Sequence, residues 1–204
     1  MDISVNSSSL IIIFVSLVVS ISIHEMMHAF AGYALGDTTA QEHGRLSLNP
    51  LRHIDPFLTI LLPLITLIVF QMPFLAAKPV PFDPSRVKFG DYGAGLVALA
   101  GPLTNLILAC LAGLMMAITG PNLVIGLFGQ INVILFVFNM IPIPPLDGSR
   151  VLYAVAPEEV QAFMNQLEQF GFIIIFALIL VVPGFNPLLA NIDQAVVQFL
   201  HLTV

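Results

Sequence analysis

The sequence predicts an all-α membrane protein: a polytopic bundle of four to six hydrophobic segments, with short re-entrant or β-like loops around a buried metal site. Of its 204 residues, 58% are hydrophobic and only 9% are charged, and the mean hydropathy is +0.99. Soluble domains carry about 25% charged residues. Several apolar runs approach the roughly 20 residues that a helix needs to cross a bilayer. The length leaves room for one membrane domain, residues 1–204, and for no separate soluble domain.

The first apolar run extends from about Leu10 to Leu35 and predicts a transmembrane helix. Serines at positions 7 to 9 mark its start, and Gly36-Asp37 marks its end, because glycine commonly terminates helices. The segment lacks the basic start and small-residue cleavage pattern of a signal peptide, so we expect it to be retained. Its one formal charge is Glu25. Ionisable residues inside a membrane are costly and usually functional.

That helix contains the sequence His24-Glu25-Met26-Met27-His28. Residues four apart lie on one face of a helix, so the two histidines can bind one metal ion while Glu25 reaches a bound water. Burying two imidazoles and a carboxylate in hydrocarbon costs several kcal/mol unless a metal or other partners compensate. The pattern therefore predicts a metal site within the membrane.

The next two elements are less regular. Phe57 to Phe74 is apolar but is interrupted by two prolines, so we expect it to be re-entrant or to lie against the bundle without a full crossing. Lys78 to Asp91 is polar and rich in proline, which predicts extended or turning chain. Either the part of this loop around Lys78 to Pro84 or the strand-like Gly44 to Leu48 could clamp an extended peptide by β-strand addition.

The second half of the chain alternates apolar runs with breaks. Tyr92 to Thr119 is long and rich in Gly and Ala, as expected of a closely packed membrane helix. Asn122 to Ile141 predicts another helix, which the prolines of 142–148 must unwind; such backbone is tolerated at membrane depth only inside protein or a wet cavity. Phe170 to Val182 is the last strongly hydrophobic run. We interpret Pro183 to Val204 as an interfacial helix or a second pass.

A third metal ligand is needed, because a catalytic zinc ion usually takes three protein ligands and one water. Asp147 is the strongest candidate, since it follows an apolar helix directly, lies in a proline-broken turn and precedes a flexible glycine. His43, His53 and Asp55, in the loop after the first helix, are the alternatives.

Several motifs together resemble the site-2 protease family of intramembrane zinc metalloproteases. They are His-Glu-Met-Met-His at 24–28, Gly-Pro-Leu-Thr-Asn at 101–105, and Asn-Met-Ile-Pro at 139–142 followed by Leu-Asp-Gly at 146–148. Gly44 to Pro50 and Lys78 to Pro81 further resemble the compact branch that lacks PDZ domains. The resemblance implies His24, His28 and Asp147 as zinc ligands and Glu25 as the general base.

The chemistry of such a site predicts peptide hydrolysis. Zinc lowers the pKa of a bound water to around 7, and Glu25 would take its proton and later protonate the leaving amine. Asn139 could hold the substrate strand or the developing oxyanion, or it could bond one helix to another. For Asn105, which is similarly placed, we favour helix packing and helix pairing over such a role, because the neighbouring Gly101 permits close approach. Substrates would be membrane proteins whose transmembrane segments can unwind.

Topology follows from the need to bring Asp147 to the depth of the two histidines. The first helix and the helix before Asp147 must then run in the same direction, with an odd number of crossings between them. All six basic residues then lie on the side of the active site, which the positive-inside rule identifies as cytoplasmic. We therefore expect a multi-pass protein, in the cell membrane, with its N-terminus outside and its metal nearer the cytoplasm.

Two other classes of function fit parts of the sequence. A membrane metal-binding or transport protein would use the same ligands for an ion in passage, and an inactive adaptor would only bind membrane helices. Glu25 separates these classes, because only hydrolysis needs a base beside the metal. The acidic and basic residues form no patch, so nucleic-acid binding has no support. Substrate identity and oligomeric state are not encoded in any recognisable pattern.

Overall fold

In a computed structural model of the chain, residues 7–52 and 80–203 are described, and all regular structure within these two ranges is helical. They contain no β-strand. Two short 3-10 helices, Pro50–Arg52 and Pro84–Arg86, flank the gap. The α-helices are α1 (Ser7–Ala34), α2 (Thr39–Glu42), α3 (Gly90–Thr119), α4 (Leu123–Asn139), α5 (Asp147–Val155), α6 (Glu158–Glu168), α7 (Gly171–Val181) and α8 (Phe185–Phe199).

The first helix has the predicted bounds and a well-defined end. Gly36 adopts φ +109°, a left-handed conformation that glycine accepts without steric cost. Its N–H donates to the Tyr33 carbonyl at 3.0 Å, and the Asp37 N–H donates to the Gly32 carbonyl at 2.9 Å. This pair of bonds is the Schellman pattern, which satisfies the last carbonyls of the helix. The predicted helix end at Gly36-Asp37 is confirmed.

Helices α1 and α3 are antiparallel. His24 of α1 contacts Asn105 of α3, and His28, one turn further along α1, contacts Val97, which lies earlier in α3. Small residues let the two helices approach closely, since glycines and alanines make up most of the buried positions of α3. The predicted Gly- and Ala-rich packing helix is thus confirmed, with its start at Gly90.

Helix α4 runs in the same direction as α1. Ser20 of α1 bonds Asn132 of α4 at 2.9 Å, and later in both sequences His24 lies 3.2 Å from Asp147, just beyond the end of α4. The two contacts therefore advance together along the chain. This is the relative direction that the three candidate ligands need in order to meet.

Two of the described helices, α1 and α3, are long and apolar enough to cross a membrane. The number rises to three if α6 and α7, which meet at an angle of 84°, form one broken span. Helix α4 is apolar but has only 17 residues, shorter than a typical straight crossing. Residues 7–52 and 80–203 thus contain two or three candidates for a membrane-spanning helix, and the predicted four to six hydrophobic segments are not confirmed.

A proline-containing turn separates α4 from α5, as the sequence predicts. A Cβ atom added to Gly148 would lie 2.3 Å from the Met140 carbonyl oxygen and 2.7 Å from that of Ile141. The first turn of α5 therefore packs directly on the end of α4. This close approach returns Asp147 to the bundle instead of letting the chain continue away from it.

The C-terminal part contains four helices where sequence patterns predicted two elements. The last hydrophobic run forms α7, and the segment after it contains α8, which packs against α4. Helices α5 and α6 had no predicted element, because neither contains an apolar run long enough to indicate a membrane helix. After α8, Leu202 is completely buried; its carbonyl accepts a 2.8 Å bond from Gln130 of α4.

Two loop predictions have different outcomes. The re-entrant segment expected at Phe57 to Phe74 lies outside the described residues. The strand-like character expected for Gly44 to Leu48 is wrong for this conformation, because these residues form turns and bends. Bonds across the loop hold this arrangement, among them a 2.8 Å bond from the Arg52 guanidinium to the Gly44 carbonyl.

Candidate metal centre

The candidate site lies where α1 crosses α3 and meets the start of α5. His24 and His28 are one helical turn apart on α1, and their rings meet edge to face with centroids 4.6 Å apart. Asp147 is the first residue of α5. The carboxylate of Asp147 therefore arrives from a different part of the chain, carried by the turn after α4.

The ligating atoms of the three side chains converge closely. Asp147 Oδ2 lies 3.2 Å from His24 Nε2 and 3.3 Å from His28 Nε2, and the two Nε2 atoms are 3.0 Å apart. A tetrahedral zinc ion with bonds of about 2.0–2.1 Å separates its ligand atoms by roughly 3.3 Å. The spacing in the structure is close to that value, so the three atoms can bind one ion.

The other nitrogen of each imidazole is already bonded. His28 Nδ1 donates to the Val97 backbone carbonyl at 2.8 Å, and His24 Nδ1 lies 2.6 Å from the side-chain oxygen of Asn105. A nitrogen facing an oxygen acceptor must carry the hydrogen, so each ring presents the lone pair of Nε2 to the site. Such outer partners set the tautomer and orientation of metal-binding histidines.

The chemistry of this donor set fits a cation. Two nitrogen lone pairs and one carboxylate oxygen meet within 3.3 Å of one another. Three electron-rich atoms at this distance repel each other unless positive charge lies among them. Both histidine rings are largely buried, so bulk water screens that repulsion poorly. Imidazole and carboxylate ligands in this number are typical of a catalytic zinc site with one open position.

Gly101 of α3 lets the histidines take these positions. A Cβ atom added there would lie 2.4 Å from His28 Nε2 and 2.7 Å from His24 Cε1. Even an alanine would overlap both rings. The predicted close approach at Gly101 is therefore confirmed, and the neighbour that it admits is the metal centre itself.

The alternative third ligands are not part of this group. Within the two described ranges, His24, His28 and Asp147 are the only cluster of three or more His, Cys, Asp or Glu residues that could hold a metal. His43 bonds the Thr39 carbonyl at 2.8 Å, one turn earlier. His53 and Asp55 lie outside the described residues.

The two candidates for roles other than metal binding have different surroundings. Glu25 follows His24 directly on α1 and is partly exposed. The Asn139 amide donates to the Leu135 carbonyl of its own helix at 2.9 Å. This bond lies within α4, neither at an oxyanion position nor between two helices. A substrate-binding role for Asn139 therefore stays a prediction.

Sequence reasoning missed the contact of Asn105 with the site. The predicted helix pairing is confirmed by the bond from Asn105 to Asn132 of α4, but the side chain of Asn105 also contacts His24. A signal was present, because Asn105 is a polar residue in an apolar helix, four residues after Gly101 and so on the same face. The bond between His28 and the Val97 backbone carbonyl could not be found from the sequence, because every residue has a backbone carbonyl.

Several known proteins are similar to this chain in sequence. The sequence model of peptidase family M50 matches residues 115–182, a segment that contains Asp147. A relative from Bacillus subtilis strain 168, YwhC, is 37% identical over 83% of this chain and 80% of its own length. Rip2 of Mycolicibacterium smegmatis is 31% identical over 86% of this chain and 69% of its own length. Both carry the name of a candidate zinc metalloprotease.

A third relative has the same description. MJ0611 of Methanocaldococcus jannaschii, also named as a candidate zinc metalloprotease, is 36% identical over 63% of this chain and 62% of its own length. No solved structure matches the chain.

Proposed function

Because this chain belongs to peptidase family M50, the site-2 protease family, we propose that it is a zinc endopeptidase that cleaves membrane proteins in or near their transmembrane segments. The observation that carries the proposal is the convergence of His24, His28 and Asp147 in a helix bundle whose first helix is apolar enough to span a membrane. The names of the curated relatives support zinc as the metal.

Each residue of the site has a defined task in this proposal. His24 and His28, through Nε2, and Asp147, through its carboxylate, would hold the ion. Zinc, when bound, supplies positive charge that polarises the scissile carbonyl and acidifies water. Glu25 accepts the proton of the attacking water and delivers it to the departing amine, a role that needs a carboxylate beside the ligands and not among them. Asn139 would bind the substrate strand if its amide turned away from the Leu135 carbonyl.

The substrate class follows from the location of the site. His24 and His28 lie on a helix of membrane-spanning length, so a peptide that reaches them comes from within or beside the bilayer. Carbonyls in a helix are engaged in i to i−4 bonds, so the cleaved segment must unwind first. Substrates with glycine, proline or asparagine in their transmembrane helix are therefore favoured. Cleavage of such helices would make the protein an enzyme of regulated intramembrane proteolysis.

The positions of the basic residues support an orientation. Arg86 pairs with Glu42 after the end of α1 at 3.5 Å, and the Lys88 N–H donates to the Leu35 carbonyl at 2.9 Å. The Arg150 backbone packs on the first turns of α3, near Gly95, at the same end of the bundle. Together with Arg45 and Arg52 in the loop after α1, they favour a cytoplasmic location for this end. Lys78 lies outside the described residues.

The Glu25→Gln variant tests the mechanism. Glutamine keeps the shape of the side chain but cannot accept a proton, so we expect zinc content to stay at the wild-type level while cleavage falls by about 10²-fold or more. The measurements are metal analysis of the purified protein and cleavage, in proteoliposomes, of a single-span substrate with a glycine-proline pair in its helix. Glu42→Gln, an exposed change outside the site, is the matched control.

The result distinguishes the three functional classes. Full cleavage by the Glu25→Gln variant with metal retained would refute the assigned base. Zinc binding by the wild type with no cleavage, but with zinc movement across the vesicle membrane, would favour a transport protein. A wild type that neither binds zinc nor cleaves the substrate would favour an adaptor.

A further inference from the structure

A chain of buried amides connects His24 to the interior of the bundle. Asn105 Nδ2 donates to Asn132 Oδ1 at 2.8 Å, and Asn132 Nδ2 donates to Ser20 Oγ and to the Phe128 backbone carbonyl, both at 2.9 Å. Asn105, Asn132 and Ser20 are each completely buried. Four side chains from three helices, α1, α3 and α4, thus share one continuous hydrogen-bonded path.

The path has a fixed direction, because one end can only accept. A backbone carbonyl has no hydrogen to donate, so the Asn132 group facing Phe128 must be its NH₂. The carbonyl oxygen of Asn132 then faces Asn105 and requires the NH₂ of Asn105. The oxygen of Asn105 therefore faces His24, and His24 Nδ1 must be the N–H donor. Reversing either amide would place two acceptors or two donors against each other in a buried site, where no water can satisfy them.

We infer that Asn132, through Asn105, is a positioning residue that fixes the tautomer and orientation of His24, so that its Nε2 lone pair is directed at the metal. This inference rests on the proposed function, and it adds a residue that none of the recognised motifs contains. His28 needs no such relay, because its Nδ1 donates directly to the Val97 carbonyl. A backbone carbonyl therefore orients His28 directly. The Phe128 carbonyl orients His24 indirectly, through the side chains of Asn132 and Asn105.

Replacing Asn132 by leucine tests the inference. Leucine has a similar size but removes the acceptor of Asn105, whose amide is then free to reverse and present its NH₂ to His24. We expect the zinc affinity to fall about tenfold to a hundredfold, the usual effect of losing an outer partner of a metal-binding histidine. The affinity is measured by competition with a chelator, and the melting temperature of the metal-free protein is measured in parallel.

Gln130→Leu is the matched control. Gln130 is also on α4, and its amide also donates to a backbone carbonyl, that of Leu202, at 2.8 Å, but it has no bond to the path. We expect Gln130→Leu to leave zinc affinity within about twofold of the wild type even if the melting temperature falls. Equal losses of zinc affinity in the two variants would show a general structural effect and overturn the inference.

Two further variants keep the test decisive if Asn132→Leu does not fold. Asn132→Ser leaves a polar site that water can fill but has no amide to impose a direction, so we expect a loss of at least fivefold in zinc affinity. In Asn132→Asp, a neutral acid can accept from Asn105 and donate to the Phe128 carbonyl, so the direction is kept and the affinity should stay within threefold. Wild-type affinity in Asn132→Ser, or a tenfold loss in Asn132→Asp, would overturn the inference.

The proposed function and this inference fail in different ways. If the wild type binds zinc but cleaves nothing, the protease function is refuted. The positioning role of Asn132 is then judged from the zinc affinities of the variants. A wild type that binds zinc and cleaves, with unchanged affinity in the folded Asn132→Leu variant, refutes the relay alone. A wild type that binds no zinc refutes both.

Discussion

At the scale of single residues, the geometry of the site depends on side chains that are small or absent. Gly101 leaves the space that the two histidine rings occupy, and Gly148 lets the start of α5 lie against the carbonyls at the end of α4. Neither glycine touches a substrate in the proposed mechanism. Both nevertheless decide whether the ligating atoms come within 3.3 Å of each other.

Gly101→Ala should therefore damage the site and not the helix. Alanine favours helix by about 1 kcal/mol over glycine, but its methyl group would displace both histidine rings. We expect cleavage to fall by about 10²-fold, as for a displacement of about 1 Å in a catalytic site, with weaker zinc binding and an unchanged helical circular dichroism spectrum.

Gly32→Ala provides the comparison for this change. A Cβ atom added at Gly32 meets its nearest neighbour, on Phe82, at an ordinary 3.8 Å. We expect near wild-type zinc binding and cleavage in this variant. If Gly101→Ala also shows near wild-type zinc binding and cleavage, the close approach of α3 to the histidines is not required for function.

At the scale of elements, a buried carboxylate ties the end of α1 to the loop that leads to α3. Asp37 Oδ1 accepts from the Thr39 N–H at 3.0 Å and from the Thr39 hydroxyl at 2.5 Å, and Oδ2 accepts from the Asp83 N–H at 3.0 Å. Burial by itself would raise the pKa of Asp37, but these hydrogen bonds, with a contribution from Arg86, lower it overall. The ionised form is therefore the one that joins the two loops.

The pKa of Asp37 predicts a pH dependence of stability. Because the folded state lowers the pKa of Asp37, the stabilisation is fully present above the unfolded value of about 3.9 and is lost as the pH falls from there through the lower folded pKa. Asp37→Asn turns an NH₂ group towards one of the N–H donors. We expect it to cost about 1–3 kcal/mol at pH 7, and less as the pH approaches 3.

Thermal melting in detergent between pH 7 and pH 3 measures this difference. Asp91→Asn, which changes an exposed carboxylate in the first turn of α3, is the control and should have a small effect at every pH. A constant difference between the wild type and Asp37→Asn over the whole range would contradict the role of the ionised carboxylate.

At the scale of the whole molecule, the basic residues of the described chain collect at the end of the bundle where α1 ends and α3 begins. The opposite end, where α3 ends and α4 begins, has none. The metal centre lies towards the basic end, since Asp147 follows the last turn of α4. From the positive-inside rule we therefore propose that the site lies nearer the cytoplasm.

Cysteine labelling can test this orientation. In a Cys110→Ala background, Arg86→Cys should react with a membrane-impermeant maleimide only in inverted vesicles, because its side chain is about half exposed at the basic end. Thr119→Cys, at the exposed end of α3, should react only from the outside. Labelling of the Arg86→Cys variant solely from the outside would contradict the proposed orientation.

The sequence by itself determined the local features of this protein. The apolar run and Gly36 defined α1, the spacing of His24 and His28 placed both rings on one face, and the proline turn before Asp147 marked the end of α4. These features depend on residues a few positions apart, where helix periodicity and turn chemistry act directly. The amphipathic helices α5 and α6 were missed because neither contains an apolar run long enough to indicate a membrane helix.

Only the tertiary structure decided which distant groups meet. The structure brings Asp147, and not His43, to the two histidines. It also joins Asn105 to His24 and to Asn132. All of these contacts are between residues far apart in the chain. Such contacts depend on how whole helices pack and on which small residues let them approach. A buried amide must find its partner wherever packing places one, so no pattern along the sequence specifies it.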